Sequence, residues 1–151
     1  QFNLDCEFCS NGAEAVKLVK ARLKEGKPVY RLILMDFSMP GCDGPTATSQ
    51  IRASLEQAGI KRQHQSFISL LTAYQEKSYH NVAEKMGMDY VLVKPVFKPQ
   101  MHKLLIKVGL LDNGQLQCEP QYSSKETCTT YFPFIQWLSI NIYSWGFGVL
   151  G

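Results

Sequence analysis

The stretch Leu32-Ile33-Leu34-Met35-Asp36-Phe37-Ser38-Met39-Pro40 sets an ionisable carboxylate directly behind four apolar residues. A continuous apolar run closed by turn residues reads as a strand buried on both faces, the kind found in parallel sheets covered by helices. A carboxylate at the end of such a strand is costly to bury unless it is paired, coordinated or placed where its charge is used. What else reaches that end of the sheet therefore decides what Asp36 is for.

Outward from this run, the chain alternates between two periods. Upstream, Leu4 to Phe8 alternates apolar and polar side chains as a strand does, and Ser10-Asn11-Gly12 breaks it. A helix follows, with Asn11 and Glu14 at near capping-box spacing, Ala15, Val16, Val19 and Leu23 on one face, and Gly26 as its stop. Downstream, Asp43 caps a second helix that has Pro45 in its first turn, Ile51, Leu55 and Ala58 as its stripe, and Gly59 at its end. Phe67-Ile68-Ser69-Leu70-Leu71 is a second buried-type strand, ending in Thr72. A third helix from about Gln75 to Met86 turns Val82, Ala83 and Met86 inward and closes at Gly87. Tyr90 to Val93 is a short strand running into Lys94-Pro95, and Pro99 opens a last helix carrying Met101, Leu104, Leu105 and Val108.

Strict strand-helix alternation predicts an α/β domain: a parallel sheet with helices on both faces, joined by right-handed crossovers. In open sheets of this kind ligands bind beyond the carboxyl ends of the strands. Asp36, Thr72 and Lys94 all arrive there, each at the end of a different apolar strand. Alone, each has a plainer reading, as a strand-end turn residue, a helix cap and a surface lysine. Together they suit a phosphoryl group: a carboxylate to attack phosphorus, an ammonium to neutralise one oxygen and a hydroxyl to bond another.

The bulk composition narrows the alternatives. A chain of 151 residues, 45% hydrophobic and 19% charged, supports one globular domain with a proper core. The net charge of +3 lacks a dense basic stripe; the richest run, Lys61-Arg62-Gln63-His64, reads as a solvated loop, which argues against direct nucleic-acid binding. Five cysteines without a regular framework fit a reducing, cytoplasmic setting. Cys6 and Cys9 have CxxC spacing but start in a strand, where successive side chains face opposite ways, and no second CxxC completes a zinc site. His64, His80 and His102 lack ligand spacing. The first residue is Gln1, with no initiator Met and no signal-type segment, so a piece of a longer protein is expected.

From Asp112 the character changes. Residues 112–130 read as a polar linker, with Asn113-Gly114 as a turn signal, and residues 131–151 as an uncharged aromatic-rich tail. The tail is long enough to span a membrane, but Pro133, Gln136, Asn141, Gly146 and Gly148 lower its hydrophobicity. A poorly ordered or partner-dependent tail is therefore expected ahead of a membrane contact.

Asp36-x-x-Met39-Pro40-x-x-Asp43-Gly44, then Leu71-Thr72-Ala73, then Lys94-Pro95, in this order, resembles the receiver domain of two-component response regulators and hybrid histidine kinases. The resemblance covers residues 3 to 110, within a partial receiver domain at 1–111. It implies a flavodoxin-like doubly wound sheet and an Asp36 that accepts a phosphoryl group from a phosphohistidine on a histidine kinase or phosphotransfer protein. It also implies a Thr72 that follows the phosphoryl group, a Lys94 that pairs with it, and a cis Lys94-Pro95 bond. Such a domain catalyses its own phosphorylation and dephosphorylation and is not itself a kinase. Magnesium would be held partly by Asp36 and by the carbonyl of Ser38. The departures are as specific. The family's first strand, which ends in an acidic pair, and the helix after it have no counterpart here, leaving four strands in the order 2-3-4-5. Asp5 and Glu7 lie within the next strand and cannot replace the pair, so magnesium binding is expected to be weak. The edges flanking the missing strand should stay open, inviting self-association, or close on each other. The position three before the lysine, aromatic in the family, is Val91, with Tyr90 beside it. The alternative function is a receiver-like interaction module that cannot be phosphorylated.

Overall fold

The computed structural model describes residues 4–74, 77–112 and 147–150. In chain order its elements are β1 (Cys6–Phe8), α1 (Gly12–Lys24), β2 (Leu32–Asp36), α2 (Gly44–Gln57), a 3-10 turn (Arg62–His64), β3 (Phe67–Thr72), α3 (Lys77–Lys85), β4 (Tyr90–Val93), α4 (Lys98–Val108) and β5 (Phe147–Leu150). Among the described residues no helix is long and apolar enough to cross a membrane.

β2 is buried along its whole length, and its alternation splits the interior into two cores. Ile33 and Met35 face a cluster built from Val16 and Val19 of α1, Ile51 and Leu55 of α2 and Ala83 of α3. Leu32 and Leu34 face Leu104 and Leu105 of α4. Three helices thus cover one side of the sheet and α4 the other. Each of these four β2 side chains contributes about 2 kcal/mol by leaving water, which fixes both the pleat and the register.

The helix ends follow local chemistry. Asn11 Oδ1 accepts from the Glu14 N–H at 2.9 Å, while the Glu14 carboxylate accepts from the hydroxyl and N–H of Ser10, both at 2.6 Å. The reciprocal half of the box therefore closes on the residue before the cap, and these two bonds hold the Glu14 carboxyl below its usual range. Asp43 Oδ1 accepts from the Thr46 N–H at 2.8 Å and caps α2. At the far end of α4, Gly109 takes φ +73°, and the Arg31 guanidinium donates to the carbonyls of Val108 and Gly109 at 3.0 and 3.3 Å. A cation is thereby seated on a helix C-terminus. Met86, expected to point inward, is 38% exposed, and Met88 is buried instead. Met86 still donates its N–H to the Val82 carbonyl at 3.0 Å, but the helix stops at Lys85 and the chain reverses at Gly87, and the methionine that enters the core is the one past the reversal.

The sheet corrects one expectation. Among the described residues it has five strands, in the order β1-β5-β2-β3-β4. The slot between β1 and β2 is neither open nor closed up: Phe147–Leu150, from the C-terminal tail, fills it. β5 runs antiparallel to both neighbours, pairing Glu7 with Val149 on one side and Ile33 with Val149 on the other. The pairs β2–β3 and β3–β4 are parallel. The edges of β1 and β2 that would have invited self-association are hydrogen-bonded to this strand. The rest of the tail and the linker, residues 113–146 and 151, lie outside the described residues.

A buried ion pair fastens the end of the sheet opposite Asp36. Arg52 of α2, 7% exposed, donates to the carbonyls of Gly87 and Ser66 at 2.9 and 2.8 Å and to Asp89 Oδ2 at 2.8 Å. Asp89 also accepts from the Ile68 N–H at 2.7 Å and from Arg62. Burial pushes the Arg52 guanidinium down to about 10, against the pull of Asp89, so it stays charged at neutral pH and needs its partner.

Three outcomes follow from this packing. Asp89→Ala leaves the Arg52 charge buried without a counter-ion, and the urea midpoint should fall by an amount worth about 3 kcal/mol. Val149→Pro removes a ladder donor from the centre of the sheet and should cost about 1–3 kcal/mol. Ending the chain at Asp112 should go further, giving concentration-dependent light scattering from the exposed β1 and β2 edges. An unchanged midpoint and scattering would show that β5 plays no part in closing the sheet.

Candidate functional site

Asp36 is the last residue of β2 and is 7% exposed. Its level in the sheet is set by pairing with Leu71, which itself pairs with Leu92. Thr72 lies one residue further up β3, and Lys94 two residues further up the β4 chain. β4 is separated from β2 by one strand, about 9–10 Å away, and the lysine stem crosses that distance over the end of β3. Its Nζ donates to Asp36 Oδ2 at 2.9 Å, joining residues 58 apart in sequence. The ammonium neutralises a carboxylate that the surrounding core would otherwise penalise.

The loops above the strands are fastened to one another. The Phe37 N–H donates to the Leu71 carbonyl at 2.9 Å, continuing the β2–β3 ladder past Asp36, and the Lys94 N–H donates to the Thr72 carbonyl at 2.7 Å. The Lys94-Pro95 bond is cis, as the resemblance implied. The Thr72 hydroxyl, fully buried, accepts from the Tyr74 N–H at 3.1 Å. Its own proton is a separate resource, since a hydroxyl can accept and donate at once. Of the three residues singled out from the sequence, Asp36 and Lys94 are in direct contact, and Thr72 lies at the intervening strand end, with its oxygen oriented by its own loop.

Ser38 lies in the exposed loop two residues past Asp36, anchored by the buried Met39 next to it. Glu7 is spent elsewhere: it holds Arg22 at 3.0 Å and takes the Tyr30 hydroxyl. Among the described residues no group of three or more His, Cys, Asp or Glu could hold a metal ion. Magnesium requires a near-octahedral oxygen shell. Among the described residues, one carboxylate already engaged by an ammonium, with backbone carbonyls, does not fit a resident magnesium ion.

Two features of the site escaped sequence reading. Gly44, first residue of α2, donates its N–H to the Phe37 carbonyl at 3.1 Å, and a Cβ there would lie 2.1 Å from the Asp36 carbonyl oxygen. Only a glycine lets α2 start this close to the end of β2. Its neighbour Asp43 announced the helix cap, but nothing local announced the contact. The second is a row of rings. Tyr74 stacks on Tyr79 with centroids 5.1 Å apart and planes at 5°, and Tyr79 meets Phe37 edge-on at 4.9 Å. Val91, at the position expected to be aromatic, is half-buried and packs into the core under α1, α2 and α3. Tyr90 lies under the Lys107 ammonium of α4 at 4.7 Å.

The CxxC pair has no redox arrangement. Cys6 and Cys9 are both free thiols, Cys6 half-exposed and Cys9 buried. Burial, then the charges of Glu14 and Glu7, push the Cys9 thiol far up, so it has little thiolate at neutral pH.

The sequence profile described as Response regulator receiver domain matches residues 1–106. Among curated proteins, hybrid signal transduction histidine kinase F of Dictyostelium discoideum is 32% identical over 110 residues, 73% of this chain and 9% of that protein. Two-component system protein A of Emericella nidulans is 38% identical over 98 residues, 64% of this chain and 12% of that protein. The chain thus spans about a tenth of the length of these relatives. Among solved structures, the receiver domain of sensor histidine kinase PA1611 from Pseudomonas aeruginosa aligns with a TM-score of 0.52 at 29% identity, covering 66% of this chain and 73% of that one. That structure has a magnesium ion coordinated in its active-site cleft.

Gly44→Ala should displace the Asp36 carbonyl and cost about 1–3 kcal/mol. In a nitrogen–proton correlation spectrum the amides of Phe37, Thr46 and Lys94 should shift, and an undisturbed spectrum would show that the close approach is not used.

Proposed function

Because the chain belongs to the response regulator receiver domain family, we propose that Asp36 is its phosphoacceptor in a histidine-to-aspartate phosphorelay. The observation that carries this reading is the 2.9 Å contact between Lys94 Nζ and Asp36 Oδ2 at the rim, with Thr72 on the strand between them. An oxygen of the Asp36 carboxylate attacks the phosphorus of a phosphohistidine. The oxygen–phosphorus bond forms as the phosphorus–nitrogen bond breaks, and the imidazole leaves carrying the electron pair and takes up a proton. The product is an acyl phosphate on Asp36.

Each neighbour has a separate task. The Lys94 ammonium moves from the carboxylate to a phosphoryl oxygen, so the charge it neutralises is the one that develops during transfer. The Thr72 hydroxyl gives its proton to a second phosphoryl oxygen while still accepting from the Tyr74 N–H. Hydrolysis of the acyl phosphate by water restores the carboxylate. The partner is a histidine kinase or a histidine phosphotransfer protein, and the receiver supplies the aspartate.

Incubation with acetyl phosphate in magnesium buffer, followed by intact mass measurement, should show one phosphoryl adduct. Asp36→Asn should abolish it. Lys94→Ala should cut its formation by at least about a hundredfold, the loss expected for one charge-stabilising group. An adduct that survives Asp36→Asn, or no adduct on the parent chain, would overturn the assignment.

A further inference from the structure

Two loops carry the site, and their rings meet through a third residue. Phe37 follows Asp36 directly, and Tyr74 is tied by its N–H to the Thr72 hydroxyl at 3.1 Å. Tyr79, in the first turn of α3, touches both: edge-on to Phe37 at 4.9 Å and stacked on Tyr74 at 5.1 Å. Tyr74 is 56% exposed, so its ring is held mainly by this stack. Ring pairs of these two geometries are favourable beyond the area they bury.

We infer that Tyr79 is a positioning residue that sets the Thr72 hydroxyl relative to Asp36 by clamping Tyr74 to Phe37. The chain of contacts is continuous: carboxylate loop, Phe37, Tyr79, Tyr74, Tyr74 N–H, Thr72 Oγ1. When the Thr72 hydroxyl swings toward a phosphoryl group on Asp36, the Tyr74 backbone follows its hydrogen bond and the exposed ring slides off Tyr79. The first turn of α3 then loses its contact with the rim. The loaded-state part rests on the phosphoacceptor reading of Asp36; the resting-state part rests on geometry alone.

The test uses the full chain labelled with 3-fluorotyrosine and followed by fluorine NMR, with Tyr74→Phe and Tyr79→Phe assigning the two signals. In the resting chain, Thr72→Val and Tyr79→Leu should each move the Tyr74 signal toward the value of a free, solvated fluorotyrosine. A Tyr74 signal unmoved by either variant, in chains whose melting curves show them folded, overturns the inference whether or not Asp36 is ever phosphorylated. In the loaded chain, the Tyr74 and Tyr79 signals should shift together with the adduct. The adduct on Tyr79→Leu should differ in lifetime by up to about tenfold from the parent, and Tyr79→Phe, which keeps the ring, should match the parent. An adduct that leaves both signals in place overturns the inference. Absence of any adduct counts against the phosphoacceptor assignment instead, and the resting arm still decides the role of Tyr79.

Discussion

A carboxylate closing a strand that is buried from end to end is costly without a counter-charge, and here that charge arrives from two strands away. Lys94 meets Asp36 at 2.9 Å because β3 lies between their strands and the ladder sets all three ends at nearly one height. A one-residue slip of β2 would send Leu32 and Leu34 to the face that holds Ile33 and Met35, and would turn Asp36 away from the lysine. The two cores therefore fix the register, and the register fixes the site. The same contact is a poor choice for stability alone, since a well-packed apolar pair at such a place often does as well. Under the proposed phosphoacceptor role, its worth lies in holding a carboxylate oxygen and an ammonium side by side.

The opposite end of the sheet shows what an ion pair built for architecture looks like. Arg52 is held by carbonyls and a carboxylate on several segments at once, and both oxygens of Asp89 are engaged. Little there is free to move. At the rim, Lys94 makes a single side-chain contact with Asp36, and Thr72 keeps a donatable proton. One end of the domain is pinned, and the proposed chemistry belongs to the other.

β5 alters the meaning of the C-terminal tail. A four-residue strand from beyond Asp112 lies between two strands that are parallel to one another, and it runs against both. Backbone pairing asks little of side chains, so an uncharged segment of adequate β-propensity can occupy a slot that its direction does not suit. Its first residue, Phe147, pairs with Met35, directly before Asp36. β5 therefore begins at the rim, and the sequence from Thr127 to Gly151 contains no acidic residue.

The alternation of periods, the caps at Asn11 and Asp43 and the polar residues Asp36, Thr72 and Lys94 closing apolar runs were legible in the sequence, because each is a local pattern with a local cause. Their order also carried the family resemblance. The bond between Lys94 and Asp36, the clearance that only Gly44 allows and the rings of Phe37, Tyr79 and Tyr74 were not legible. They depend on how far apart strands and helices settle once both cores are packed. Nor could the strand at Phe147–Leu150 be read locally, since pairing in a sheet is decided by which edges are vacant, and vacancy is a property of the assembled fold. The polymer's order supplied the chemical groups and the elements that carry them; only packing in three dimensions settled which groups touch.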